Sequence, residues 1–217
     1  MKKNDSIGKS AAIKKTEGNK KPSTRRLGVE SAQNRHALLD AAELIMREDG
    51  YAAITSRRVA ERAGLKPQLV YYYFRTMDDL LLALLQRRSE RGFAYLQTLL
   101  AAPQPLHSLW KLLCEPTHGV LSAEFMALAN HRKIIGDAIA QQAEQLRSMQ
   151  AELLTRVLQE RGIDAEKYPP AMIAMLIATL SQILVRERAL GITGGHEALI
   201  KRIEEFLDRL EPPVASV

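Results

Sequence analysis

Ile54-Thr55-Ser56-Arg57-Arg58-Val59-Ala60-Glu61-Arg62-Ala63-Gly64-Leu65-Lys66-Pro67-Gln68-Leu69-Val70-Tyr71-Tyr72-Tyr73-Phe74-Arg75 is the stretch on which the fold turns. It reads as two short helices with a tight break between them. Thr55 offers a side-chain oxygen to the free amides of the first helix, whose apolar Val59, Ala60 and Ala63 share one face. Gly64 can take the positive φ that stops this helix, and Pro67, lacking an N–H, suits the first turn of the next. Helices this short are unstable alone, so Leu65, Val70 and Phe74 must bury against a neighbour.

That neighbour lies upstream. Leu38, Ala42, Ile45 and Met46 recur at helical spacing and predict a helix over residues 34–48, stopped at Gly50. Downstream, Asp78 and Asp79 open a long helix reaching about residue 100, and Pro103 and Pro105 lead into a short one holding Leu109, Trp110 and Leu113. Further helices are expected over 122–129, 132–161 and 170–190. A Thr193-Gly194-Gly195 turn then leads into a last one ending near Leu210. With aromatics at 5% and only 12 Gly and 9 Pro, the fold class is all-α. The expected organisation is a basic disordered tail over 1–30, a three-helix domain over 31–77 and a larger helical domain over 78–217.

The formal charge of +6 is unevenly placed. Residues 1–30 hold nine Lys/Arg against three acids, leaving 22 of each sign for the rest of the chain. The tail reads either as a solvated extension or as an arm tracking a polyanion. Cys114 is the single cysteine, which excludes an intramolecular disulfide and a cysteine-based zinc site, and a cytoplasmic location follows most simply. No apolar run near the N-terminus has the form of a signal peptide. The apolar stretch 171–185 is short for a bilayer and reads as a buried helix, so no membrane partner is expected.

An enzyme is disfavoured. The five histidines are dispersed, Glu115-Pro116-Thr117-His118 is a lone Glu-x-x-His where a di-metal site needs two, and no phosphate loop or nucleophile elbow occurs. Neither a metal nor a cofactor is expected.

The quoted stretch carries Arg57, Arg58, Arg62, Lys66 and Arg75 against the single acid Glu61, a concentration of positive charge suited to a nucleic-acid backbone. Gln68, Tyr72 and Arg75 project opposite Val70 and Phe74, and a glutamine near a helix start can offer both donor and acceptor to an adenine edge. Successive helical residues point about 100° apart, so Tyr71, Tyr72 and Tyr73 cannot all face inward, and an outward phenol can donate to a phosphate. Periodicity alone leaves open a plainer arrangement of packed tyrosines and a solvated arginine face.

Ala41-Ala42, Gly50-Tyr51, Ile54-Thr55, Val59-Ala60, Ala63-Gly64-Leu65, Val70-Tyr71-Tyr72-Tyr73-Phe74 and Leu80, in this order and spacing, resemble the N-terminal domain of TetR-family regulators over about fifty residues. The resemblance implies a helix-turn-helix domain on double-stranded operator DNA, a helical ligand-binding and dimerisation domain, and repression relieved by a small molecule. It implies that Thr55 and Arg57 begin the helix near the DNA backbone, that Lys66, Pro67, Gln68 and Leu69 face bases, and that Tyr71, Tyr72 and Tyr73 approach phosphates; Arg58 and Arg75 join them as DNA-binding candidates on their charge. Three positions depart from the family habit: Lys66 stands where Ser or Thr often caps, Gln68 where Gly is common, and Met77 where Lys is usual.

In the C-terminal half Phe93, Trp110, Phe125, Met126, Met149 and Met175 are candidates to line an apolar cavity, with Asn130 and Gln182 as orienting polar groups. The same spacing also suits ordinary core. Stripes of Ile173, Leu176, Leu180 and Leu184 and of Leu199, Ile203, Phe206 and Leu210 offer a four-helix homodimer contact through the last two helices, or else an intramolecular core. The expected function is a homodimeric repressor released from a palindromic operator by an apolar or amphipathic small molecule. The alternative is a constitutive or partner-controlled DNA binder, or an activator, whose C-terminal half only dimerises.

Overall fold

The computed structural model describes residues 24–99 and 102–212, and every regular element among them is helical. In chain order these are α1 (Thr24–Asp49), a 3-10 turn (Tyr51–Ala53), α2 (Ser56–Arg62), α3 (Pro67–Tyr73), α4 (Met77–Leu99), α5 (Pro105–Leu113), α6 (Pro116–Ala129), α7 (Lys133–Glu160), α8 (Pro170–Ala189) and α9 (His196–Leu210).

Two boundaries differ from the sequence reading. Helix α1 starts at Thr24, ten residues before position 34, so the last part of the expected disordered tail is helical. Periodicity marks only the buried part of a helix. Once the face of Leu38, Ala42, Ile45 and Met46 nucleates α1, each residue added upstream gains a backbone hydrogen bond at little further cost. Residues 1–23 lie outside those described. Helix α6 likewise starts at Pro116 rather than near 122, with the proline in its first turn.

The described side chains form two apolar clusters. The first joins Leu38, Ala42, Ile45 and Met46 of α1, Val59 and Ala60 of α2, Val70 of α3 and Leu80 and Leu84 of α4 to Leu121, Phe125 and Leu128 of α6 and Ile135 of α7. The short helices α2 and α3 are therefore held from outside themselves. Val70 and Phe74, 0% and 3% exposed, each contribute about 1.5–3 kcal/mol by burial. The second cluster gathers Leu96 of α4, Leu106, Leu109 and Trp110 of α5, Leu153, Leu154 and Leu158 of α7, Ile173 and Leu184 of α8 and Leu207 and Leu210 of α9.

Membership of the second cluster takes part of the expected dimer stripes into the chain's own core. Ile173, Leu184 and Leu210 are at most 5% exposed within the single chain, while Leu176 stays half exposed. The α8 periodicity was apolar on more than one face, and the buried face belongs to the chain's own core. The outward apolar residues of α8 are Met172, Met175 and Leu176. Helix α8 also has the length and composition of a bilayer span at 20 residues, longer than the run of 15 read from sequence, yet Ile173, Ala174, Ile177, Ser181, Leu184 and Val185 are buried.

Polar contacts tie α4 to its neighbours. The Arg87 guanidinium donates to Asp40 at 2.6 Å and to Glu43 at 2.7 Å on α1, Arg88 donates to Ser122 on α6 at 2.7 Å, and Asp78 pairs with Arg132 ahead of α7. Burial pushes the Arg88 guanidinium below its ordinary pKa, and the charge of Glu43 opposes that shift. Thr76 and Asp79 cap the start of α4 reciprocally, each side chain accepting the other's backbone amide at 3.0–3.1 Å.

Candidate nucleic-acid interface

The α2–turn–α3 unit is built as its residue types dictate. Thr55, extended at φ −127°, accepts the Arg58 amide at 3.3 Å and so caps α2. Gly64 takes φ +68°, and the Leu65 amide returns to the Ala60 carbonyl at 2.9 Å, closing the helix end. Pro67 occupies the first turn of α3, and Lys66 makes no side-chain cap there, so the chain's departure from Ser or Thr at 66 leaves that helix start uncapped.

Helix α3 turns Val70 inward and leaves Pro67, Gln68, Tyr71 and Tyr72 outward, with Leu69 and Tyr73 partly covered. Tyr72 is 74% and Tyr71 53% exposed, so the plainer arrangement of three packed tyrosines does not hold. Tyr73 packs against the first cluster and meets Tyr72 edge to face at 4.9 Å. The Tyr71 hydroxyl donates to Ser56 at 3.3 Å, linking α3 to the start of α2. Arg35 of α1 stacks its guanidinium 5.2 Å from the Phe74 ring at the end of α3.

The charge of this face is smaller than a count over 54–75 suggests. Arg58 pairs with Asp49 at 2.6 Å and Arg62 with Glu48 at 2.7 Å, both acids lying at the end of α1 and outside the quoted stretch. Arg57, Lys66 and Arg75 are exposed and make no ion pair with the described residues. The face thus presents Gln68 beside exposed phenols and three unneutralised cations, a combination able to hydrogen-bond a base edge and hold phosphates. The polar contact that sequence reasoning missed is Glu124 of α6, which accepts the Tyr51 amide at 2.7 Å across 73 residues and has no local sequence signal.

The eight candidate cavity residues do not converge. Trp110 lies in the second cluster and Phe125 in the first, Met126 and Met175 are more than half exposed, and Asn130 is exposed at the end of α6. Met149 packs at the margin of the second cluster and Gln182 is partly buried. Phe93 lines an open groove of about 560 Å³ between α4 and α7, together with Leu82, Gln86, Ser89, Glu90 and Gln142. A second recess of about 290 Å³ lies among Pro103, Pro105, Arg156, Arg161 and Glu211. Among the described residues no group of three His, Cys, Asp or Glu side chains gathers to hold a metal.

Comparison with known proteins places this geometry. Residues 38–84 match the family model for bacterial regulatory proteins, tetR family. No curated protein sequence matches the chain. Among solved structures, a TetR transcription regulator from Haloarcula marismortui superposes with TM-score 0.65 at 23% identity, over 82% of this chain and 98% of that one. Salmonella enterica GusR gives 0.63 at 15% identity over 82% and 95%. Bacillus subtilis FadR, solved in complex with stearoyl-CoA, gives 0.57 at 17% identity over 82% and 98%. The outward α3 face seated on a buried Val70–Phe74 anchor thus lies within a stretch that matches the tetR-family model for its DNA-binding, helix-turn-helix part, and the chain as a whole shares its fold with these regulators.

Proposed function

We propose that the protein is a homodimeric repressor, acting in the cytoplasm, that binds a two-fold symmetric operator and leaves it when an apolar or amphipathic small molecule binds the helical domain beyond residue 77. The observation that carries this reading is the exposed α3 face, Gln68 with Tyr71 and Tyr72, supported on buried Val70 and Phe74. Gln68 and Leu69 serve as base readers with Lys66 and Pro67, while Thr55, Arg57, Arg58, the three tyrosines and Arg75 hold the backbone. One such head spans too few base pairs for useful specificity, which favours two copies on a symmetric site. Met172, Met175 and Leu176 on α8, with the half-covered Leu199, Ile203 and Phe206 of α9, supply the apolar surface for that pairing. The complex of the similarly folded FadR with stearoyl-CoA supports an amphipathic effector.

Selection of duplexes from a random pool tests the operator reading, with an inverted repeat as the expected product; enrichment of no sequence overturns it. A rise in melting temperature with stearoyl-CoA, together with release of the selected duplex, supports the effector class. The dispersal of the candidate cavity residues favours a second reading, a constitutive or partner-controlled binder whose C-terminal half only dimerises. Saturating amphiphiles leave melting and binding unchanged on that reading.

A further inference from the structure

The 3-10 turn between α1 and α2 has a free N-terminal amide that nothing in its own segment satisfies. Gly50, the residue before it, takes φ +81° and has no side chain to offer as a cap. The acceptor comes from α6, where the Glu124 carboxylate takes the Tyr51 amide at 2.7 Å, a charge-assisted bond in a partly buried setting. The fit is close: a Cβ at position 50 would stand 3.2 Å from Glu124 Oε2. Glycine here serves both the left-handed backbone and the seat of the carboxylate.

Beyond Tyr51 the chain is short and internally closed. Ala53 donates to the Gly50 carbonyl at 3.2 Å and Ile54 to that of Tyr51 at 3.1 Å, and the Thr55 cap of α2 follows at once. The direction in which the turn leaves α1 therefore fixes the start of α2, where Ser56 meets Tyr71 of α3 and Arg58 meets Asp49. Helix α6 is also fixed to α4, through Ser122 and Arg88, two residues before Glu124.

We infer that Glu124 is a positioning residue for DNA binding: its carboxylate holds the Tyr51 amide and so sets the angle of the helix-turn-helix from α6, a directional support added to the apolar cluster, the Arg87 contacts and the covalent lead into α4. The inference rests on the DNA-binding reading, yet the hold itself can be observed without DNA.

The test compares Glu124→Ala and Glu124→Gln with Leu158→Ala, a buried truncation in the second cluster that lowers stability away from the head. Amide exchange at Tyr51 and affinity for a duplex selected by the wild-type protein are read at a temperature where all variants are folded. Loss of a hydrogen bond to a charged group corresponds to about tenfold or more. Glu124→Ala is expected to speed Tyr51 exchange by about that factor and to weaken the selected duplex by roughly five- to tenfold. Glu124→Gln, which still offers a carbonyl, is expected to fall between, and Leu158→Ala to bind as wild type. Should Glu124→Ala fail to fold, the Gln variant alone must show faster Tyr51 exchange and weaker binding. Unchanged exchange in the Glu124 variants overturns the inference, as does a loss of affinity that merely follows lost stability in all three. A wild-type protein that enriches no duplex defeats the DNA-binding reading instead, leaving the exchange result to judge the hold.

Discussion

Arg87 of α4 donates through Nη2 to Glu43 of α1 at 2.7 Å, its guanidinium 10% exposed between the two helices. Its Nη1 reaches Asp40 on the same face, so a residue in the helix leading to the C-terminal domain is clamped to the first helix of the reading head. Truncation to Ala removes both bonds and leaves Glu43 to Arg47 and Arg91, which remain within 3.1–3.3 Å. Because those cations partly compensate and Asp40 is solvated, the expected loss is about 2 kcal/mol, below the usual range for a buried pair. Chemical denaturation of Arg87→Ala checks this; a loss under about 0.5 kcal/mol is the size of a surface pair and contradicts the clamp.

Gln68→Ala is expected to cost about 1–3 kcal/mol on the selected duplex with little change on random DNA, as for a base contact. Tyr72→Phe should weaken both by the same factor, as for a phosphate contact. Normal binding by both folded variants, measured by titration at fixed salt, places the reading face elsewhere.

Leu176→Glu puts a charge on the outward side of α8 and is expected to yield a folded monomer by light scattering. Leu184→Glu, at 0% exposure, places the same charge in the second cluster and is expected to abolish folding. A dimeric Leu176→Glu protein rules out this part of α8 as the contact.

Burial pushes the Cys114 thiol from 9.0 to about 11, with Arg188 opposing the shift and Glu204 adding to it. The folded state thus keeps its proton where the unfolded chain loses it. Stability from this group is complete below pH 9 and is lost as pH rises from about 9 to about 11. Iodoacetamide labelling should therefore be slow at neutral pH and keep rising about tenfold per pH unit past 9, whereas the denatured chain levels off there. A native plateau near pH 9 contradicts the raised value.

The reading head was legible because its signals are local. A cap at Thr55, a glycine at 64, a proline at 67 and an apolar repeat each act within a few residues, and the structure keeps all four. Helical geometry required that at least one of the three tyrosines face solvent and put Tyr72 opposite Val70 and Phe74, while the exposure of Tyr71 emerges only from the packing. What escaped the sequence depends on distance along the chain: Asp49 and Glu48 neutralise Arg58 and Arg62 from another helix, and Glu124 reaches Tyr51 across 73 residues. The dimer stripes divide between core and surface for a related reason. An apolar helix such as α8 has several faces, and only packing decides that Ile173 and Leu184 turn inward while Met172 and Leu176 remain outside.

The arginine pairs at the end of α1 have an energetic consequence. A duplex meeting this head must compete with Asp49 and Glu48 for two of its five cations, so sequence-blind attraction is partly quenched before contact. Because phosphates are alike in every duplex, a head that cancels part of its own field holds all DNA less tightly than a count of five cations implies. The share of binding left to the outward α3 face is correspondingly larger.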